Sequence, residues 1–183
     1  MKHRNVNVNA TTQDLDYSGR CGQTALHWAV RGHHIDVVKV FVADPRAYLD
    51  AATDFGKTPL MVASELGYAE VVQELLKARA DQHRVARVRH HDQELELSSL
   101  FIAIGAGCSE VVRALVANDP ATIKCRFATT WVQQSSPLLL AVSNKVTDVV
   151  DVLLQFKADP DVADEHGISA IARAVEDNSM EIM

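Results

Sequence analysis

Histidine is the side chain in this sequence with the widest chemical range, and its spacing decides what it could do. His83, His90 and His91 cluster in the charged stretch 82–97, where imidazoles could gather a zinc ion. A structural zinc site needs about four convergent ligands. No CxxC or second helical motif completes such a set, and adjacent strand residues such as His90 and His91 point to opposite faces. His33 and His34 stand together at a chain corner and read as solvated. Carboxylates recur at Asp36, Glu70, Glu110, Asp148 and Glu181. Each falls in the first turn of a helix, where the macrodipole favours a negative charge, so they read as structural devices and not as acid/base pairs. Cys21, Cys108 and Cys125 have no CxxC pairing and no neighbour that would lower a thiol pKa far enough for catalysis. An odd cysteine count without such pairing fits a reducing compartment. Nucleophile elbow, phosphate loop and HExxH motif are all missing. No catalytic residue, metal ligand or cofactor is expected, and the chain does not read as an enzyme.

Composition narrows the class further. Apolar residues make up 48% of the 183 positions but aromatics only 5%, so the core must be built of Ala, Val and Leu. Small side chains let helices approach closely. A net charge of -6, from 18 basic and 24 acidic residues, argues against a nucleic-acid binder held by phosphate contacts. No apolar run reaches membrane-spanning length, and MKHRNVNVNA at the start has no apolar signal core. An intracellular, cytoplasmic location is expected, without membrane insertion.

The elements are clearest in residues 54–81. Asp54 and Gly56 make a turn, Thr58 is an N-cap, and Pro59 takes the first helical position, where a missing N–H is harmless. Gly67 can end the helix in the left-handed conformation. Val71, Val72, Leu75 and Leu76 form the apolar stripe of a second helix. Neither helix is long enough to stand alone, so similar units must stack on the pair.

Similar units occur. Thr24-Ala25-Leu26-His27-Trp28-Ala29 precedes Asp36-Val37-Val38, and Thr58-Pro59-Leu60-Met61-Val62-Ala63 precedes Glu70-Val71-Val72. Ser98-Ser99-Leu100-Phe101-Ile102-Ala103 precedes Glu110-Val111-Val112, and Ser136-Pro137-Leu138-Leu139-Leu140-Ala141 precedes Asp148-Val149-Val150. Ser169-Ala170-Ile171-Ala172-Arg173-Ala174 precedes Glu181-Ile182-Met183. In all five the acid stands ten positions after the key Leu or Ile.

The pattern resembles the ankyrin repeat, whose T-P-L-H-x-A signature is matched most closely by residues 24–29. The resemblance runs from about Gly22 to the end. It implies an all-α solenoid of stacked antiparallel helix pairs with projecting β-hairpin loops, in which each pair buries its stripe against the next. A single repeat domain over 1–183 is expected, with repeats near 20–53, 54–86, 94–126, 132–163 and an incomplete 164–183. The resemblance also gives His27 a structural hydrogen-bonding role within or between repeats.

Spacing locates the insertions. Leu26 to Leu60 is 34, Leu60 to Leu100 is 40, Leu100 to Leu138 is 38 and Leu138 to Ile171 is 33. The family period is about 33, so the excess lies in two loops, fingers at 82–97 and 121–135. With His91-Asp92 as a two-residue loop, Arg89 faces Glu94, Val88 faces Leu95, Arg87 faces Glu96 and Ala86 faces Leu97. Opposite charges then share one face, which favours a hairpin over a disordered charged loop. In the second finger Ile123, Cys125 and Phe127 alternate with Lys124 and Arg126, again suggesting a hairpin. It carries Trp131, a candidate anchor that could instead pack on the neighbouring finger.

Departures from the family pattern are equally specific. The glycine that usually stops the second helix is replaced by Pro45, Arg79, Asp119 and Lys157. Asp44-Pro45 and Asp119-Pro120 suggest proline stops. His33 and Lys145 occupy corners that usually hold glycine. Asn7-Val8-Asn9-Ala10 resembles the tail of a preceding repeat, and the sequence stops inside the fifth repeat's second helix, as a fragment of a longer protein would.

By resemblance, another protein is the expected partner, bound by a monomer or by a segment of a longer chain. It would meet the concave side formed by loop tips and first helices. The candidate contacts are Arg20, Gln23, Arg31, Phe55, Lys57, Glu65, Leu66, His166 and Ile168, with Arg87, Arg89 and Trp131 on the fingers. Gly105 and Ala106 would leave an uncharged floor, followed by Ser143 and Asn144. The groove reads as basic at its N-terminal end and acidic at its C-terminal end, where Glu165, Glu176 and Asp177 lie.

Overall fold

The computed structural model describes residues 7–12, 22–90, 93–126 and 135–176. Among the described residues, four helix pairs and a last helix follow one another: α1 (Ala25–Arg31) and α2 (Ile35–Ala43), α3 (Pro59–Leu66) and α4 (Ala69–Lys77), α5 (Ser99–Gly105) and α6 (Ser109–Asn118), α7 (Pro137–Ser143) and α8 (Thr147–Gln155), then α9 (Ala170–Glu176). First helices pack on first helices and second on second, α1 on α3 on α5 on α7 on α9, and α2 on α4 on α6 on α8. This is the stacked solenoid that the repeats imply.

Each first helix begins the same way. A Thr or Ser hydroxyl accepts the N–H three residues on: Thr24 from His27, Thr58 from Met61, Ser98 from Phe101, Ser136 from Leu139 and Ser169 from Ala172. The second helices lack a side-chain cap, and Asp36, Glu70, Glu110 or Asp148 in the first turn faces the positive end of the dipole instead.

Corners between paired helices also repeat. The N–H groups of His34, Tyr68, Cys108 and Val146 reach back to the carbonyls of Ala29, Ala63, Ala103 and Ala141 at 2.9–3.1 Å. This closure requires a left-handed residue just before. Gly67 and Gly107 supply it at φ 74 and 70, but His33 and Lys145 must adopt φ 55 and 56. The same closure ends α4 at Arg79 (φ 66) and α8 at Lys157 (φ 63). After α2 and α6 the chain leaves through extended Asp44 and Asp119, as their prolines suggest.

The core is a run of Leu, Val and Ala between layers. Leu60, Val71, Val72 and Leu75 are fully buried in the second repeat, and Val111, Val112 and Ala103 in the third. Burying each Leu or Val contributes roughly 1.5–3 kcal/mol, and each layer supplies half of its neighbour's cover.

The first finger is an antiparallel hairpin, β1 (Val85–His90) with β2 (Gln93–Ser98). Its register pairs Arg89 with Glu94, Val88 with Leu95, Arg87 with Glu96 and Ala86 with Leu97, as the charge pattern requires. Its turn residues, 91–92, lie outside the described residues. The base is fastened to the third repeat: Gln82 Nε2 donates to the Leu115 carbonyl (3.3 Å), and Asn118 Nδ2 donates to Gln82 Oε1 (2.8 Å). The second finger differs from expectation. Pro120–Lys124 forms a 3-10 helix where the alternation suggested a strand. Asp119 Oδ1 accepts from Ala121 N (2.9 Å) and the Thr122 hydroxyl donates to the Asp119 carbonyl (2.7 Å), so local Asp-Pro capping overrides the alternation. The remainder of that expected hairpin, with Trp131, lies outside the described residues.

Candidate functional site

Three of the loop tips that precede first helices are built to one plan. In the second repeat Thr53 N donates to the Lys57 carbonyl (3.0 Å), Gly56 N to the Thr53 carbonyl (2.7 Å), and Lys57 N to Thr53 Oγ1 (3.2 Å). Gly56 closes the turn at φ 74. In the last repeat Asp164 takes the place of Thr53, its Oδ1 accepting from both His166 N and Ile168 N at 2.9 Å. A turn fixed by this many bonds holds its outward residues without further ordering. Phe55 is one of them, and 53% of its surface is exposed.

In the first repeat the same bonds join Thr12 to Gln23, with 13–22 between them. Thr12 N donates to the Gln23 carbonyl (2.9 Å), and Gln23 N donates to Thr12 Oγ1 (3.2 Å). Gln23 therefore sits at the base of its loop, only 3% exposed, and its side chain is withdrawn from any partner. This corrects its assignment to the contact surface. Four residues beyond Gln23, His27 joins the repeats. Its Nδ1 accepts the Thr24 N–H (3.2 Å) while Nε2 donates to the Lys57 carbonyl (3.0 Å), which requires a neutral ring. Burial pushes its pKa below the ordinary value, the Lys57 carbonyl acts against that shift, and Arg31 adds to it.

Across the floor, Lys57 Nζ lies 2.8 Å from both Glu65 oxygens, fastening loop tip to α3. The pair cancels in charge. At the far end Arg173 pairs with Glu176 (3.2 Å), which also dilutes the acidic end. Leu66 and Ile168 are half-buried and His166 is exposed. Gly105, Ala106, Ser143 and Asn144 are exposed and form an uncharged middle. Arg20 and Asp177 lie outside the described residues, as do the side chains of Arg87 and Arg89.

The histidines do not converge. His83 Nε2 lies 3.0 Å from Asp119 Oδ2, tying the finger base to the end of α6. His33 is exposed but not simply solvated, because its ring stacks on Tyr68 at 4.1 Å between centroids. Among the described residues no three His, Cys, Asp or Glu side chains are placed to hold a metal. Burial raises the pKa of Cys108, and burial with Asp119 raises that of Cys125, so neither thiol is activated.

Sequence reasoning passed over one surface. Trp28 and Val37, on the outer side of α1 and α2, are 40% and 45% exposed. Val37 stands where Val71, Val111 and Val149 are fully buried, and Trp28 where Val62 is buried and Ile102 and Leu140 are half-buried.

Comparison with known proteins places these features in a family. A model described as ankyrin repeats (3 copies) matches residues 2–86, and one for the ankyrin repeat matches 133–165. The pair α5–α6 and most of both insertions fall between the two matches. Among curated proteins, the chain is 39% identical over 62 residues to neurogenic locus notch homolog protein 4 of Homo sapiens, covering 34% of this chain and 3% of that protein. It is 39% identical over 76 residues to the poly [ADP-ribose] polymerase tankyrase of Caenorhabditis elegans, covering 40% and 3%. It is 26% identical over 171 residues to ZDHHC13 of Danio rerio, a palmitoyltransferase by name, covering 81% and 26%. The chain thus spans about a quarter or less of the length of these three relatives.

Proposed function

We propose that this chain, which belongs to the ankyrin-repeat family, is a protein-interaction module that holds its partner along the concave face and the loop fingers. One observation carries the reading: Phe55 is presented 53% exposed from a turn fixed by three hydrogen bonds. A rigid aromatic anchor loses little freedom on binding, and such residues dominate interface energetics. Leu66 at the far end of α3, the uncharged middle and the polar ends at Arg31 and at His166 and Ile168 supply complementarity. Arg20, Arg87, Arg89 and Trp131 extend the surface onto the loops. Converting Phe55, Leu66 and Trp131 together to Ala is expected to abolish capture of the partner while leaving helicity unchanged. Undiminished capture by that variant would overturn the surface.

A second reading is a regulatory ankyrin segment of a larger enzyme or channel. It is favoured by the relative that matches 81% of this chain with only 26% of its own length. A reading frame that ends at Met183 would contradict it.

A further inference from the structure

The outer face of the first helix pair differs from the corresponding face of the second. Shifting by the 34-residue spacing aligns Trp28 with Val62, Val37 with Val71 and Phe41 with Leu75. Those three partners are 1%, 0% and 0% exposed because the first pair covers them. Trp28 and Val37 are 40% and 45% exposed, and Phe41 is only partly buried. Together with Arg31 and His34 they line an open concavity of about 500 Å³. Val40 is more exposed still, at 70%, but it aligns with Glu74 and so lies off this face.

Charge at the rim says what could cover it. Inside the array Glu70, in the first turn of α4, meets Lys39 of the preceding pair at 3.5 Å. Asp36 stands at the same position in α2 and has no cation beside it among the described residues. Arg31 lines the same concavity, and its buried Nε has no hydrogen-bond acceptor there. One face thus carries an apolar centre, a carboxylate in need of a cation and a guanidinium in need of an acceptor.

We propose that this face pairs with the same face of a second copy, as a two-fold dimer in which Arg31 of each chain meets Asp36 of the other. An isologous interface must be self-complementary, and a patch bearing both charges around apolar residues satisfies that condition. The second copy stands where a preceding helix pair would stand, but it presents the same face and not the opposite one. It replaces the expectation of a monomer and shares only Arg31 with the proposed concave contacts.

Sedimentation velocity on the full chain over a concentration series tests the pairing. Wild type is expected to shift from monomer to dimer with rising concentration and to stop at two. Val37→Glu is expected to raise the dissociation constant at least about tenfold, whereas Val40→Glu leaves it unchanged, with circular dichroism confirming that both fold. Arg31→Glu and Asp36→Arg each place like charges together, so each alone should stay monomeric. Mixed in equal amounts they restore both opposite-charge pairs and should form a heterodimer. Three results would overturn the proposal: a wild type monomeric at every concentration, oligomers growing beyond two, or a mixture of the two charge variants that does not associate.

Discussion

The imidazole Nε2 of His27 lies 3.0 Å from the carbonyl oxygen of Lys57, so the signature helix of the first repeat is hydrogen-bonded to the loop tip of the second. The same ring caps its own helix through Nδ1 and the Thr24 N–H. One neutral side chain thus sets both a helix start and the distance between adjacent loop tips.

Replacing His27 by Ala deprives the Thr24 N–H of its ring acceptor and the Lys57 carbonyl of one of its two donors, Thr53 N remaining, and is expected to lower unfolding stability by about 1–3 kcal/mol. The pH dependence has a definite sign. Burial depresses the folded-state pKa below 6.5, so on acidification the unfolded chain takes up the proton first. The His27 contribution is complete above about pH 6.5 and declines as the pH falls below it. Urea denaturation across pH 5–8 checks this; a His27→Gln variant should lose that part of the slope.

Four non-glycine residues hold left-handed corners, at a cost of about 1 kcal/mol each. Arg79→Gly, Lys145→Gly and Lys157→Gly should each raise the denaturation midpoint, with a gain of up to about 1 kcal/mol. His33→Gly should gain less, because it forfeits the stacking on Tyr68. Equal gains at all four positions would show that the stacking contributes nothing.

Cross-strand pairing in the first finger places Arg87 opposite Glu96. Arg87→Glu is expected to destabilise the finger by about 0.2–1 kcal/mol, and adding Glu96→Arg should recover most of the loss. Amide exchange over 85–98 reads this directly, and a double variant no better protected than the single one would contradict the register.

Local rules account for what the sequence disclosed. Thr24, Thr58, Ser98 and Ser136 each precede an apolar period and cap it, and the hairpin register follows from charges that could match in one alignment. The features that escaped depend on distant neighbours. Gln23 is buried because Thr12 approaches from across an insertion, which no spacing within the repeat reveals. Trp28 and Val37 have core-like periodicity, and only their place at the end of the stack leaves them open. At 120–124 two local signals compete. The strand-like alternation of Ile123 and Cys125 yields to capping by Asp119, which closes a turn before any cross-strand partner is needed.

The concave contact is tested most directly by photo-crosslinking from chosen positions. A benzoylphenylalanine at position 55 or 143 should give a covalent adduct with the captured partner, identified by mass spectrometry. The same probe at Gln73, exposed on the outer side of α4, should give none. Adducts from position 73 with none from 55 or 143 would contradict binding through the concave face.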